Sequence, residues 1–108
     1  MSCATNIQEV QSKYAQDIVP ILFDFSAYLV TGESIVSAVI TANTESGIDP
    51  LPSAIINGAP MLDATQPFHV VQWIKSGIVG VLYGITCAAT INTGEILTLP
   101  CLIKVVSI

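Results

Sequence analysis

Most hydrolytic sites need a general base, and this chain has one histidine, His69. A serine triad requires that imidazole beside a hydroxyl and a carboxylate. Ser26 and Asp24 lie close together in Asp24-Phe25-Ser26, but no G-x-S-x-G turn surrounds the serine. A metal centre is no better supplied, because Cys3, Cys87 and Cys101 form no C-x-x-C pair and the lone histidine forms no H-x-x-x-H pair. Asp49 and Asp63 have oxygens suited to calcium, yet the D-x-[DN]-x-[DN]-G pattern is absent, so they read as solvated loop carboxylates. Gly77-Ile78-Val79-Gly80 lacks the Lys and the following helix of a phosphate-binding loop. The chemistry-bearing residues therefore predict no catalytic, metal or cofactor site, and the expectation is a protein that is not an enzyme.

The charge pattern narrows the partners. Eleven residues (10 %) are charged and 52 % are hydrophobic, against roughly 25 % charged in an average domain. A folded chain of this mass should expose about 5,800 Å², which leaves each charge about 500 Å² of surface where about 200 is usual. Nine Ser, nine Thr, five Gln and four Asn supply the remaining polarity, and such a surface suits contact with other proteins. The net charge is -5, with Lys13, Lys75 and Lys104 as the only basic residues. That leaves no cluster to neutralise phosphates, so nucleic acid is not expected as a ligand. The odd cysteine count predicts free thiols in a reducing compartment. Residues 76–94 run without a charge, close to a membrane-spanning length. The run contains four Gly together with Ser76, Thr86, Thr90, Asn92 and Thr93, so it reads as strand and turn, and no membrane partner is expected. The start of the chain lacks the basic and apolar regions of a signal peptide, so export by that route is not expected.

Residues 1–17 are polar and flexible in composition and read as an N-terminal arm before a domain at 18–108. Within the arm Ile7, Val10 and Tyr14, followed by Ile18, fall at helical spacing, although an extended terminus fits the same residues. An arm of either form is placed to grip a neighbouring subunit. From Ile18 onward β-branched residues are broken by turn signals, and no helical period persists. The domain reads as all-β, a sandwich or barrel. Its expected strands are 19–25, 35–42, a short pair at 53–56 and 61–64, 68–75, 81–91 and 95–106. Asn57-Gly58 is the strongest hairpin signal, matching a two-residue type I′ turn.

Alternation assigns the faces. Val81, Tyr83, Ile85, Cys87, Ala89 and Ile91 share one side of their strand, and Leu99, Cys101, Ile103 and Val105 share one side of the last. Both sets are expected in the core, with Cys87 close to opposite Cys101; the spacing allows a disulfide between them, but the expectation is two small buried apolar residues. Pro100 cannot donate to a ladder and marks an edge or bulge. In 68–75, His69, Val71 and Trp73 fall on one face with Lys75. That face suits an interface with the Trp73 ring as anchor, the alternative being a Trp73 buried in its own core.

A resemblance adds to this reading. Asp24-Phe25-Ser26-Ala27-Tyr28-Leu29, Gly32-Glu33-Ser34-Ile35, the block from Val71-Gln72-Trp73 through Ser76-Gly77-Ile78-Val79-Gly80 to Tyr83-Gly84-Ile85, and Ile103-Lys104-Val105 resemble motifs of bacteriophage fiber-tail adaptor proteins. The chain departs from that pattern where Phe25, Tyr28 and Ile40 replace Trp, Ser34 replaces Asp, and Ser76 replaces the first Gly of a pair. The resemblance implies an immunoglobulin-like antiparallel β-sandwich with an N-terminal arm, assembled in the host cytoplasm into the virion tail. It also implies contacts with copies of itself and with tail, portal or fiber subunits. The Gly80 to Tyr83 stretch further resembles the tyrosine corner of sandwich domains, in which the Tyr hydroxyl ties back to nearby backbone. Two other expectations compete: a free carbohydrate- or protein-binding sandwich, and a membrane-inserted small protein. The interface candidates are Trp73, Val71, His69, Ile7, Val10 and Tyr14.

Overall fold

The β-branched and aromatic runs resolve into two four-stranded sheets in a computed structural model that describes residues 2–3, 10–63, 65 and 67–107. The described strands are β1 (Ser2–Cys3), β2 (Val10–Tyr14), β3 (Val19–Asp24), β4 (Ile35–Ser46), β5 (Met61–Leu62), β6 (His69–Ile74), β7 (Leu82–Ile91) and β8 (Ile96–Val106). One sheet has the order β1-β3-β6-β5 and the other β2-β8-β7-β4. Two four-stranded sheets packed face to face make the chain an all-β sandwich. Pairing is antiparallel except at the N-terminus, where β1 runs parallel to β3 and β2 parallel to β8, a correction to a purely antiparallel expectation.

Period-2 alternation fills the space between the sheets. Tyr83, Ile85, Cys87, Ala89 and Ile91 from β7 meet Leu99, Cys101, Ile103 and Val105 from β8, and Ile21, Phe23, Val70 and Ile74 face them from the other sheet. Both core faces expected from the sequence are thus observed. The β7–β8 register places Cys87 opposite Leu99 and Cys101 opposite Ile85, one pair away from the expected alignment. Cys87 is a buried free thiol, pushed up to about 12 by burial, so it acts as a small apolar filler. Cys101 is disulfide-bonded, which corrects the expectation of three free thiols; spacing along the chain does not encode which strands meet across a core. Pro100 pairs with Thr86 on one side, and the described part of β2 joins the other side of β8 from Leu102 onward.

Two elements differ from expectation. The segment 53–56 is not a strand: Pro52 opens a 3-10 turn over Pro52–Ile55, closed by bonds from Ala54 to Leu51 and from Ile56 to Ser53. Proline at the first helical position favours this. Gly58 has a positive φ but Asn57 does not, so no type I′ hairpin forms. The Asn57 N–H instead bonds the Trp73 carbonyl at 2.9 Å. At the N-terminus, residues 10–14 take the extended of the two forms open to them and belong to the second sheet, where β8 supplies them with backbone partners. Ile7 lies outside the described residues.

Candidate functional site

Strands β3 and β6 pair so that Trp73 stands beside Pro20, Val71 beside Leu22, and His69 beside Asp24; on the far side Val71 pairs with Met61 of β5. Residues paired across antiparallel strands share a face. This face looks outward, because Val70, Gln72 and Ile74 take the inner one. The result is an apolar ridge from Trp73, 38 % exposed, to Met61, 50 % exposed, with a polar cluster at one end. Trp73 is thus on the surface and not in its own core, while Val71 and His69 are half-buried beside it.

The backbone beneath Trp73 is fixed by a residue the sequence reading passed over. Gln72 is fully buried, and its Nε2 donates to the carbonyls of Trp73 at 2.8 Å and Gly58 at 3.1 Å. The signal was available in the alternation of Val70, Gln72 and Ile74. A polar residue in that phase must seek partners on backbone groups; Nε2 finds them, while the buried Oε1 has none among the described residues.

In the polar cluster, His69 Nε2 lies 3.5 Å from Asp24 Oδ1, and the same oxygen accepts the Ser26 N–H at 2.9 Å. Burial pushes the Asp24 carboxyl up, but the Ser26 hydrogen bonds and the nearby His69 outweigh it and hold the group below its ordinary value. The carboxylate stands between the serine and the imidazole. That order differs from a triad, in which the histidine must take the serine proton. The cluster works as an electrostatic clip at the end of β3.

The remaining candidates lie elsewhere. Val10, 53 % exposed, and Tyr14, 42 % exposed, sit on the outer face of the other sheet, so the structure divides the interface candidates between two faces. Lys13, between them in sequence, turns inward. It is 2 % exposed, and its Nζ donates to the carbonyls of Tyr14 and Ser76, which fastens β2 to the β6–β7 loop. Burial lowers its pKa, partly offset by Asp17. Tyr83 and Gly80 both tie the β6–β7 loop to neighbouring segments. The Tyr83 hydroxyl accepts the Ile78 N–H at 2.9 Å and donates to Asp49 Oδ2 at 2.6 Å. Gly80 has φ +91 and donates to the Val105 carbonyl at 2.8 Å. Asp49 is therefore a structural acceptor joining two loops rather than a solvated carboxylate. Among the described residues no group of three His, Cys, Asp or Glu side chains is arranged to hold a metal ion, and no helix is long and apolar enough to cross a membrane.

The geometry offers surfaces for contact, and the comparison with known families agrees. The family described as podophage GP4 fiber-tail adaptor protein gp77 matches residues 13–104. The chain belongs to that family. It is a structural protein of the phage tail, located in the virion, and it interacts with other tail proteins. The matched region starts within β2 and ends within β8, so it takes in Val71, Trp73, the Gly-rich loop and Tyr83. A comparison with curated proteins found no match.

Proposed function

We propose that this adaptor joins the tail or portal region to fibers or spikes through protein–protein contacts, in several copies and without catalysis. The outer face of β3 and β6 is the surface that meets a tail partner. The observation that carries the proposal is the exposed Trp73 ring on a ridge continuous with Pro20, Leu22, Val71 and Met61. Large amphipathic rings anchor interfaces, and the His69–Asp24 cluster supplies a polar rim. Family membership supports the assembly role, and the uncharged polar exterior suits it.

Trp73→Ala tests the face. Loss of an anchor should cut co-sedimentation with tail particles by about tenfold or more, while the melting temperature falls by only a few degrees, about what 1 kcal/mol costs a domain of this size. A melting temperature lost in proportion to assembly would return Trp73 to a purely structural role. Unchanged assembly would remove this face from the interface.

A further inference from the structure

The two sheets finish differently at their edges. Among the described residues the β1-β3-β6-β5 sheet ends on strands of two residues each, which gives short edges. The other sheet ends on β4, twelve residues long, which pairs with β7 on one side and with no described strand on the other. Register irregularities lie at both ends of β4, and the Ile35 N–H is bonded to the Pro67 carbonyl at 2.9 Å. Residues 34–44, however, contain no charge and no proline, so the stretch between those ends lacks the usual guards of an open edge. Glu45, the first charge after this stretch, does not guard it either. Asn43 Nδ2 holds its carboxylate at 3.0 Å, and both side chains lie across Gly84 of β7, so closely that a Cβ there would come 2.5 Å from Glu45 Oε1. The acid is folded back over its own sheet.

We infer that the β4 edge is a self-association surface, where β4 of a second copy adds antiparallel about a two-fold axis to make a continuous eight-stranded sheet. Self-complementarity favours a second copy over a foreign strand. Register irregularities at Ile35/Ser37 and Thr44/Ser46 bound a regular stretch centred near residue 40. A two-fold through Ile40 places Ala38 opposite Ala42, Val39 opposite Thr41, and Ser37 opposite Asn43. Ile40 thus meets its own copy between two Ala38–Ala42 pairs on the core side, and Val39 meets Thr41 on the outer side. The same axis puts Glu33 opposite Gly47 and Glu45 opposite Ile35, so no two glutamates face each other. The core-side residues Ala38, Ile40 and Ala42 are only half-buried at this edge, and added strands would finish covering them. The inference rests on reading the chain as a multi-copy tail component, but it uses a different surface from the Trp73 ridge.

The test is the oligomeric state of the purified full chain by sedimentation over about 1 µM to 1 mM, the range in which a weak to moderate association is seen. Wild type should dimerise with concentration. The V39K/T41K variant places lysines opposite lysines and should weaken the dimer by about tenfold or more, with unchanged circular dichroism because both sites are exposed. Mixing V39K/T41K with V39E/T41E should restore a mixed dimer. A wild type that stays monomeric throughout, a V39K/T41K dimer of unchanged strength, or charge-swapped variants that fail to combine would each overturn the inference. W73A separates the two readings. It should leave the dimer intact while losing tail particles, and a dimer that needs Trp73 would move self-association to the other face.

Discussion

Tyr83 shows how a single hydroxyl can hold two loops. It accepts from Ile78 in the loop before β7 and donates to Asp49 in the loop after β4, and Asp49 also accepts the Leu51 N–H at 2.9 Å. Tyr83→Phe leaves the Ile78 donor and the Asp49 acceptor without this partner, and should cost about 2 kcal/mol in urea unfolding. The same bonds set a pH dependence. Burial, then the bond to Asp49, raise the Tyr83 pKa above its ordinary 10.0. The folded state thus holds this proton more tightly than the unfolded chain does. The contribution is complete below about pH 10 and is lost as pH rises through the raised value. Wild type should therefore lose stability above about pH 10 more steeply than Y83F. Parallel pH profiles of the two would assign the alkaline loss to another group.

At the scale of elements, the β6–β7 connection combines positive φ angles with close packing. Ser76 is a non-glycine residue at φ +56, and Gly77 follows at φ +98. A Cβ on Gly77 would lie 2.7 Å from Val105 Cγ2 and 3.5 Å from the Tyr83 ring. Gly80 has φ +91 but faces open space. Gly77→Ala should therefore combine backbone strain with overpacking and cost about 3 kcal/mol, while Gly80→Ala carries the strain alone, about 1 to 2 kcal/mol. Urea midpoints decide it, and equal losses would mean that Val105 moves aside freely. The order matters to function because this loop also receives Lys13, so distorting it loosens β2 from the rest of its sheet.

As a whole, the molecule is a rod of 43 × 22 × 22 Å with 5796 Å² of surface and eleven charged residues. Fifteen large apolar side chains are exposed among the described residues. They occur at both ends of the rod as well as on the two outer faces; Tyr28, Val30 and Ile96 lie at one end, and Ile48, Leu51, Ile78 and Val79 at the other. A notch of about 120 Å³ lined by Phe25, Tyr28, Leu97, Thr98 and Leu99 adds apolar surface at the first end. Contacts made by such groups hardly depend on ionic strength. Raising salt from about 0.1 to 1 M shortens the screening length from about 10 to 3 Å, and it should change incorporation into tail particles by less than about threefold. A tenfold loss in particle-binding assays would show that the few charges, the Asp24–His69 cluster included, carry the assembly.

Alternation along the chain, which needs only the pleat of a strand, marked the all-β class and the two core faces of β7 and β8. For β6 it left Trp73 either on an interface or in its own core, and the paired sheets settled which. The motif around Trp73 and Tyr83 also pointed to the fiber-tail family that the match over 13–104 establishes. Tertiary structure decided everything that depends on which distant segments meet. It made 53–56 part of a 3-10 turn opened by Pro52, and it gave the Asn57 N–H to the Trp73 carbonyl instead of a hairpin. It buried Lys13 and Gln72, whose polar ends reach carbonyls that spacing along the chain cannot reveal. It drew residues 10–14 into a sheet, and it split Trp73 from Val10 and Tyr14 onto opposite faces of the sandwich. Side-chain alternation is a local property of the backbone, whereas edges, partners and burial belong to the assembled sheets.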